Sequence, residues 1–320
     1  MRNPVTLTRA AFVASTAAAV LLRPGAARAA TQIAAGSASD DDATPFLYAQ
    51  KSGLFARAGI EATIQPMRSG SAVAAAVLGG TFQLGKSSVM SLINARGRGK
   101  APIVIVAPAG VYDSSAPVTG LLVKADGPIK TPADLNRQVI AVSALNDLYT
   151  ITTKAWIDAH GGDSSTIQLT EIPISEVPEA VAAGRVAAGN VLEPDLAFAA
   201  QKGKTRVLGH PFDSLGKRFT FSAWFTTVDY ATKNRDLIEK FATAVREAAT
   251  YTNAHHNETV QLLADFTKLD PAVIRRSTRS TGGTTLEASD VQHLIDMAVK
   301  YKALPTSFDA KEMLWSSARG

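Results

Sequence analysis

Short apolar segments alternate with helix-forming segments along most of the chain, and no other feature of the sequence restricts the fold as strongly. Residues 103–107 (Ile-Val-Ile-Val-Ala) form a continuous apolar run of the kind that fills a central parallel strand. Shorter strand patterns, each followed by a capped helix pattern, extend from residue 32 to residue 201. This alternation predicts an α/β fold in which helices flank mostly parallel sheets.

The last third of the chain has a different pattern. Residues 219–227 (Phe-Thr-Phe-Ser-Ala-Trp-Phe-Thr-Thr) are predicted to form one long aromatic strand, and from residue 229 onwards the sequence indicates helices only. A chain of 320 residues, 46% of them hydrophobic, can bury one large core or two ordinary ones. We therefore expect two lobes, with the helical tail packed against the first lobe.

An internal similarity supports this division. Residues 76–85 and 180–189 align without gaps and share four identical residues. Each segment is predicted to contain a helix end, a glycine stop, a short strand and a second glycine, as if each lobe used the same βαβ unit. The identical residues are all Ala, Val or Gly, so coincidence in an alanine-rich chain is the alternative.

The first 29 residues resemble a secretory signal, with a basic start, an apolar run over residues 10–22 and the small-residue cleavage pattern Ala27-Arg28-Ala29. We expect cleavage after Ala29, by general secretion rather than the twin-arginine route, because only one arginine precedes the apolar run closely. That run is shorter than the roughly 20 residues that a membrane-spanning helix needs. The mature chain is therefore expected to be soluble.

The charge balance gives no reason to expect a nucleic-acid partner. The chain has 33 basic and 28 acidic residues, and four of the basic ones lie in the first 29 residues, which leaves 29 against 28 and a net charge of +1. The basic isoelectric point is therefore a property of the signal segment. Because there is no cysteine, disulfides and a lipid-anchored cysteine are excluded, and we expect a periplasmic location.

Residues 80–87 (Gly-Thr-Phe-Gln-Leu-Gly-Lys-Ser) match the phosphate-binding pattern G-x-x-x-x-G-K-[ST]. That chemistry requires all eight residues to form a loop between a strand and a helix. Here Gly79 and Gly80 end a helix pattern, and residues 82–84 have strand character. We therefore expect no nucleotide site in this segment.

Signals for metal binding and catalysis are equally weak. His255 and His256 with Glu258 lack the spacing of a zinc motif, and residues 40–42 (Asp-Asp-Asp) lack the spacing of a calcium loop. The chain also lacks the G-x-S-x-G pattern and a cysteine nucleophile. We expect no enzymatic activity, no metal and no cofactor.

Residues 36–55 are the strongest candidate for a ligand site, because they combine a strand end, an acidic loop and a helix that starts at Thr44-Pro45. Helix starts that follow strands point their free N–H groups toward the ligand crevice of an open α/β sheet. Several other helix starts should face the same crevice, although each of their polar residues can instead be a simple helix cap. The candidate ligand-binding residues of this kind are Asp41, Asp42, Thr44, Ser69, Ser87, Ser88, Asn146, Asp147 and Glu193.

Aromatic residues are the candidates for an apolar wall of the site. These residues are Phe46, Tyr112, Phe219 and Trp224, and buried packing is the alternative role for them. The charge of the ligand stays open at this point. Helix starts and serines favour an anion, whereas the aspartates of residues 40–42, Asp147 and Glu193 favour an amine or another hydrogen-bond donor.

Three segments resemble one protein family. Residues 45–61 are similar to its P-x-Y-x-A-x-x-x-G-x-F-x-x-x-G-(L/I)-(D/E) motif, residues 129–135 to (I/V)-K-(S/T)-x-x-D-L, and residues 180–194 to A-L-x-x-G-x-V-D-A followed by E-P. The family comprises periplasmic substrate-binding proteins of ABC importers for nitrate, aliphatic sulfonates, taurine and thiamine-precursor pyrimidines. The chain departs from it at Gln83 and Ala187, where an aspartate is common, and at Leu192, where a tryptophan is expected.

The resemblance implies a two-lobe periplasmic binding protein fold of type II, with two crossing segments that act as a hinge. It implies a discontinuous first lobe of residues 30–115 and 225–320 and a second lobe of residues 116–224. Ligand would lie in the cleft between the lobes, and the matched cleft positions are Asp42, Thr44, Ser69, Ser87, Ser88, Asn146 and Glu193.

The function implied is that of a solute-binding protein, which captures a small sulfonate-like, carboxylate or pyrimidine-like ligand. The expected partners are that ligand and an inner-membrane ABC permease with its cytoplasmic ATPase, and the protein itself is expected to be a monomer. The alternatives are a pyrimidine-forming enzyme of the same fold and a sensory receptor. We further expect the Asp42→Ala substitution to abolish ligand-induced thermal stabilisation and to leave the fold intact.

Overall fold

The computed structural model describes Met1 and residues 30–316. The predicted signal segment and its cleavage after Ala29 therefore lie outside the described residues. Within the described part of the chain, no helix combines the length and the apolar character that crossing a membrane requires.

Strands and helices alternate along the chain as the sequence predicts. The strands are β1 Thr31–Ala38, β2 Ile60–Met67, β3 Leu84–Ser88, β4 Ile103–Pro108, β5 Gly110–Asp113, β6 Thr119–Lys124, β7 Val139–Val142, β8 Gln168–Glu171, β9 Ala188–Leu192, β10 Thr205–Gly209, β11 Arg218–Thr220, β12 Ser222–Thr227 and β13 Thr281–Gly282. The helices are α1 Thr44–Lys51, α2 Leu54–Arg57, α3 Gly70–Leu78, α4 Val89–Gly97, α5 Leu148–Ala159, α6 Val177–Ala182, α7 Asp195–Lys202, α8 Val228–Lys233, α9 Arg235–Ala254, α10 Val260–Thr267, α11 Pro271–Arg276 and α12 Ala288–Lys300.

Two five-stranded sheets form the centres of two lobes. The first has the order β2-β1-β3-β12-β4, and the second has the order β10-β6-β9-β7-β8. In the first sheet β1 runs parallel to β2 and β3, while β12 lies antiparallel between β3 and β4. In the second sheet β7 runs parallel to β8 and β9. The predicted α/β fold with mostly parallel sheets is confirmed.

The chain crosses between the lobes twice, and a small third sheet holds the two crossings together. The first crossing leaves through β5, and the second returns through β11, which pairs antiparallel with β5 so that Phe219 lies opposite Tyr112. The predicted single strand 219–227 is wrong, because the chain changes sheets at Phe221: β11 pairs with β5, whereas β12 joins the first sheet. The helical tail also contains the short strand β13 on the other edge of β5, where the sequence predicts helices only.

Aromatic side chains fill the core between the first sheet and helices α1 and α9. The ring of Phe46 stacks on Trp224 at a centroid distance of 5.0 Å and lies 4.9 Å from Phe55 and 6.1 Å from Phe241. Phe46 and Trp224 are both fully buried in this core. Phe46 and Trp224 therefore do not form a wall of the ligand site, because the helix face that carries Phe46 packs against the core.

The internal similarity corresponds to a repeated local structure. Gly80 and Gly184 both adopt left-handed backbone conformations, with φ of 77° and 71°. Each donates its N–H to a valine carbonyl one turn earlier, and the residue after each glycine donates to an alanine carbonyl at 2.9 Å. These bonds end α3 and α6 in the same way, and β3 and β9 follow. Each lobe thus contains one copy of the same helix–strand unit.

We predict that Phe46→Ala destabilises the protein by about 3–5 kcal/mol, because it removes a ring that packs against three other aromatic rings. Urea unfolding provides the measurement. Phe198→Ala is the matched control, since that ring is 39% exposed, and its unfolding midpoint should stay close to that of the wild type. A Phe46→Ala protein as stable as the wild type would contradict the packing described here.

Candidate functional site

A cavity of about 880 Å³ lies between the two lobes. It opens beyond the carboxyl ends of β1 and β3 on one side and of β7 and β9 on the other, as expected for an open α/β sheet. Both lobes therefore contribute to its walls. Among the lining residues are Asp42, Ser69 and Ser87 from the first lobe and Asp147, Tyr149 and Glu193 from the second.

The structure divides the residues predicted from the sequence into two groups. Those that line the cavity are Asp42, Ser69, Ser87, Ser88, Asp147 and Glu193. Those that do not line it are Asp41, Thr44, Phe46, Tyr112, Asn146 and Trp224. The second group has structural contacts that the sequence pattern does not reveal.

Asp41 and Thr44 are part of a buried link to the helical tail. Arg279 donates to Asp41 from Nε at 2.9 Å, and the Thr44 hydroxyl donates to the same carboxylate at 3.0 Å. Thr44 is therefore the first residue of α1, and its side chain does not cap the helix. A 3-10 turn, Asp41–Ala43, comes immediately before α1, so that Ala43 occupies the cap position.

Tyr112 and Asn146 also have partners away from the cavity. The Tyr112 hydroxyl donates to Asp213 at 2.7 Å, and its buried ring packs against Phe212. Asn146 has a left-handed backbone with φ of 64°, and its carbonyl accepts from the Asn94 side chain of the other lobe at 2.8 Å. The cap of α5 is the next residue, Asp147, which accepts the Thr150 N–H.

Lys86 lies at the floor of the cavity and is the main residue that the sequence interpretation missed. Its side chain is 2% exposed and forms ion pairs with Asp40, at 2.5 Å, and with Asp42. The hydroxyl of Ser222 donates to the second oxygen of Asp42 and accepts the N–H of Gly110. The sequence drew attention to Lys86 only through the phosphate-binding pattern, which β3 excludes because it begins at Leu84, inside the pattern.

The pKa values of Asp40, Asp42 and Lys86 are shifted by burial and by the charges that these three side chains exert on one another. Burial raises the pKa of Asp40 well above its ordinary value, and the Asp42 carboxylate adds to the effect. Burial also disfavours ionisation of Asp42, but the Lys86 ammonium outweighs this and lowers the pKa of Asp42. Burial disfavours the Lys86 ammonium in turn, yet Asp40 and Asp42 raise the pKa of Lys86. Lys86 and Asp42 thus form the ionised pair, and Asp40 is the carboxyl that binds a proton first.

Hydroxyl groups line the first-lobe wall above this floor. Ser69 and Ser88 cap α3 and α4 by accepting the N–H groups of Ala72 and Ser91. The Ser87 hydroxyl is buried and has no hydrogen-bond partner among the described residues. Gly70 is required beside it, since a β-carbon at that position would lie 2.1 Å from the Ser87 oxygen.

The second-lobe wall begins with Asp147 and Tyr149 at the start of α5. Asp147 accepts the Ser143 hydroxyl and the N–H of Thr150 at 2.8 Å. Burial nevertheless raises the pKa of Asp147. The Tyr149 hydroxyl makes no hydrogen bond within the described part of the chain, and burial followed by nearby carboxylates raises the pKa of Tyr149 well above its usual value.

Glu193 connects the second lobe to the tail of the first. Its carboxylate accepts the N–H of Ala197, in α7, at 2.9 Å and the N–H of Thr278, after α11, at 3.2 Å. Glu193 is 5% exposed, and burial raises its pKa to about 7 despite these two bonds. In the described residues no group of three or more His, Cys, Asp and Glu side chains is arranged to hold a metal ion.

Comparisons with known proteins agree with this architecture. The family model described as NMT1/THI5 like matches residues 40–259. The solved structure of the periplasmic aliphatic sulphonate binding protein SsuA from Escherichia coli is 20% identical, with a TM-score of 0.74 over 90% of this chain and 93% of that one. The alkanesulfonate-binding protein SsuA from Xanthomonas axonopodis pv. citri, bound to MOPS, is 18% identical, with a TM-score of 0.74 over 89% of this chain and 98% of that one.

A third similar structure is that of a protein named for a different ligand. The periplasmic nitrate-binding protein NrtA from Synechocystis PCC 6803 is 16% identical, with a TM-score of 0.73 over 88% of this chain and 84% of that one. At such identities the likeness shows the periplasmic binding protein fold and leaves the ligand open. A search of curated protein sequences finds no match.

The buried position of Asp42 changes what its removal should do. We predict that Asp42→Ala destabilises the protein by about 3–5 kcal/mol, because it leaves the Lys86 ammonium buried with only Asp40 as its ionic partner. The expectation from sequence, an intact fold with a lost ligand response, therefore needs correction. Urea unfolding measures the effect. Asp126→Ala removes an exposed carboxylate 3.8 Å from Lys124 and should leave the midpoint unchanged; equal effects of both substitutions would contradict the prediction.

We predict that Glu193 makes the protein less stable as the pH rises from about 4.5 to about 7. In this range the unfolded chain releases the proton of Glu193, whose ordinary pKa is 4.5, while the folded chain with a pKa of about 7 retains it. Glu193→Gln cannot release a proton, so its stability relative to the wild type should grow by up to about 3 kcal/mol across this range. Urea unfolding at both pH values tests this. Glu61→Gln, at an exposed site, should keep the wild-type profile, and a Glu193→Gln variant with that same profile would refute the prediction.

Proposed function

The chain belongs to the NMT1/THI5-like family, and from this premise we propose that it is the solute-binding component of an ABC-type import system. It captures a small organic molecule between its lobes and delivers it to a membrane permease. The observation that carries the proposal is the cavity of about 880 Å³, which lies between the lobes and takes its lining from both. This volume is within the range of about 300–1,000 Å³ that small-molecule sites occupy.

A ligand held by two lobes stabilises the closed arrangement, because it binds that arrangement better than an open one. The two antiparallel crossings, β5 and β11, provide the hinge. Hydrogen bonds already join the lobes, among them those between Asn94 and the Asn146 carbonyl at 2.8 Å, between Tyr301 and Asp158 at 3.2 Å and between the Thr278 N–H and Glu193 at 3.2 Å. Ligand contacts to both lobes add to these bonds in the closed state.

In this proposal the first lobe consists of residues 30–115 and 225–320, and the second lobe consists of residues 116–224. The proposed ligand contacts are Asp42, Ser69, Ser87, Ser88, Asp147 and Glu193, joined by Tyr149. The protein acts as a periplasmic monomer after removal of its signal segment, with an ABC permease and its ATPase as partners, and it is not an enzyme. The fold shared with periplasmic proteins that bind sulfonates and nitrate supports this assignment.

Native mass spectrometry of the freshly purified mature protein, combined with small-angle X-ray scattering, tests the proposal. We expect a small molecule to be carried through purification, and the radius of gyration to decrease when that molecule is returned to ligand-free protein. Turnover of the molecule would indicate an enzyme instead. A molecule that binds without any change in scattering would contradict capture by lobe closure.

We predict that Tyr149→Phe weakens binding of the carried molecule about fivefold to tenfold, as expected for one lost hydrogen bond. Stability should be unchanged, because the Tyr149 hydroxyl bonds to no described residue. Isothermal titration calorimetry measures the affinity. Tyr230→Phe is the matched control, since that residue lies in α8 and does not line the cavity. Equal affinities of the two variants would remove Tyr149 from the proposed site.

A further inference from the structure

The cavity is strongly unbalanced in charge. Five acidic residues line it, whereas Lys86 and Arg68 are the basic residues among its lining in the described part of the chain. The acidic residues are Asp40, Asp42, Asp147, Glu193 and Asp195. The two basic residues differ in their burial and in whether carboxylates already pair with them.

Of the two basic residues, the buried one is already paired and the other is exposed to solvent, where water screens its charge. The Lys86 ammonium is 2% exposed and is already paired with Asp40 and Asp42. Arg68 is exposed and lies between β2 and α3, at the rim. A buried sulfonate, carboxylate or phosphate needs donors or a cation to offset its lost hydration, and the Lys86 ammonium is already paired with two carboxylates.

Three of the acidic residues, by contrast, have no cationic partner among the described residues. The carboxylates of Asp147 and Glu193 accept only hydroxyl or backbone N–H groups, and the carboxylate of Asp195 forms no hydrogen bond or ion pair with the described residues. Burial is the main cause that raises the pKa of each of these three groups. A positive charge beside them would favour their ionised forms and offset the cost of burial.

Two neutral side chains line the cavity together with these carboxylates. Tyr149 is a lining residue, as are Asp40, Asp147 and Asp195, and the nearby carboxylates add to the burial that raises the pKa of Tyr149. The Ser87 hydroxyl, on the opposite wall, belongs to a residue that is 4% exposed and has no partner among the described residues. Both hydroxyls can accept a hydrogen bond from a ligand N–H group.

We infer that the ligand is a small organic cation, with a protonated amine or amidine that faces Asp147, Glu193 and Asp195. Its remaining part is apolar, because Leu78 and Leu145, from opposite lobes, line the cavity and are 42% and 51% exposed. Phe212 and Phe221 extend this apolar lining inward. The inference rests on the proposed solute-binding function and narrows its ligand to one charge class.

Three probes that share one apolar part test the inference: 2-phenylethylammonium, 2-phenylethanol and 2-phenylethanesulfonate. Each is added at millimolar concentration to the ligand-free mature protein, and thermal unfolding is recorded. The ammonium probe is expected to raise the Tm most, the alcohol less, and the sulfonate not at all. No shift with the ammonium, or a larger shift with the sulfonate, overturns the inference.

Matched variants locate the charge that is responsible. Asp195→Asn should weaken binding of 2-phenylethylammonium on the order of tenfold, as loss of one nearby carboxylate implies. Asp126→Asn, at an exposed site away from the cavity, should bind it as the wild type does. If both variants bind with wild-type affinity, the ammonium does not lie beside Asp195, and the inference is wrong.

The same measurements separate this inference from the proposed function. A sulfonate or carboxylate that stabilises the protein and closes it in X-ray scattering refutes the cationic ligand but supports capture between the lobes. If no probe of any charge stabilises the protein and native mass spectrometry finds no carried molecule, both proposals fail together.

Discussion

The ammonium of Lys86 lies between two carboxylates at the floor of the cavity, and much of the site depends on this contact. An ammonium with 2% exposure requires anionic partners, because it has almost no water of its own. Asp40 and Asp42 supply them, and Ser222 holds Asp42 from the returning strand β12. The ion pair therefore fixes the loop after β1 against both β3 and β12.

The pairing of Lys86 also affects which charged groups of the cavity lack a partner within the protein. Lys86 is paired within the protein, whereas Asp147, Glu193 and Asp195 of the second lobe line the cavity without a cationic partner among the described residues. The solved relatives named above are described as sulfonate-binding and nitrate-binding proteins. A shared fold is compatible with an opposite ligand charge, since the fold fixes where the strands end and the side chains at those ends set the charge.

The connection between the lobes depends on a different kind of contact. Two short antiparallel strands, β5 and β11, hold the crossings side by side, and β13 from the tail pairs with the other edge of β5. The tail also reaches the second lobe through the bond between Glu193 and the Thr278 N–H. The carboxylate whose pKa burial raises to about 7 is thus also a contact between the second lobe and the tail.

The sequence by itself determined the α/β class, the mainly helical tail after residue 229, the repeated helix–strand unit and the polar residues at the helix starts. These features depend on hydrophobic period, glycine position and capping, which act over a few neighbouring residues. Only the tertiary structure decided that Phe46 and Trp224 pack in the core, that Asp41 pairs with Arg279, and that Lys86 lies between Asp40 and Asp42. Such pairings join residues far apart in the chain, and local pattern does not specify which partner a buried charge or ring will meet.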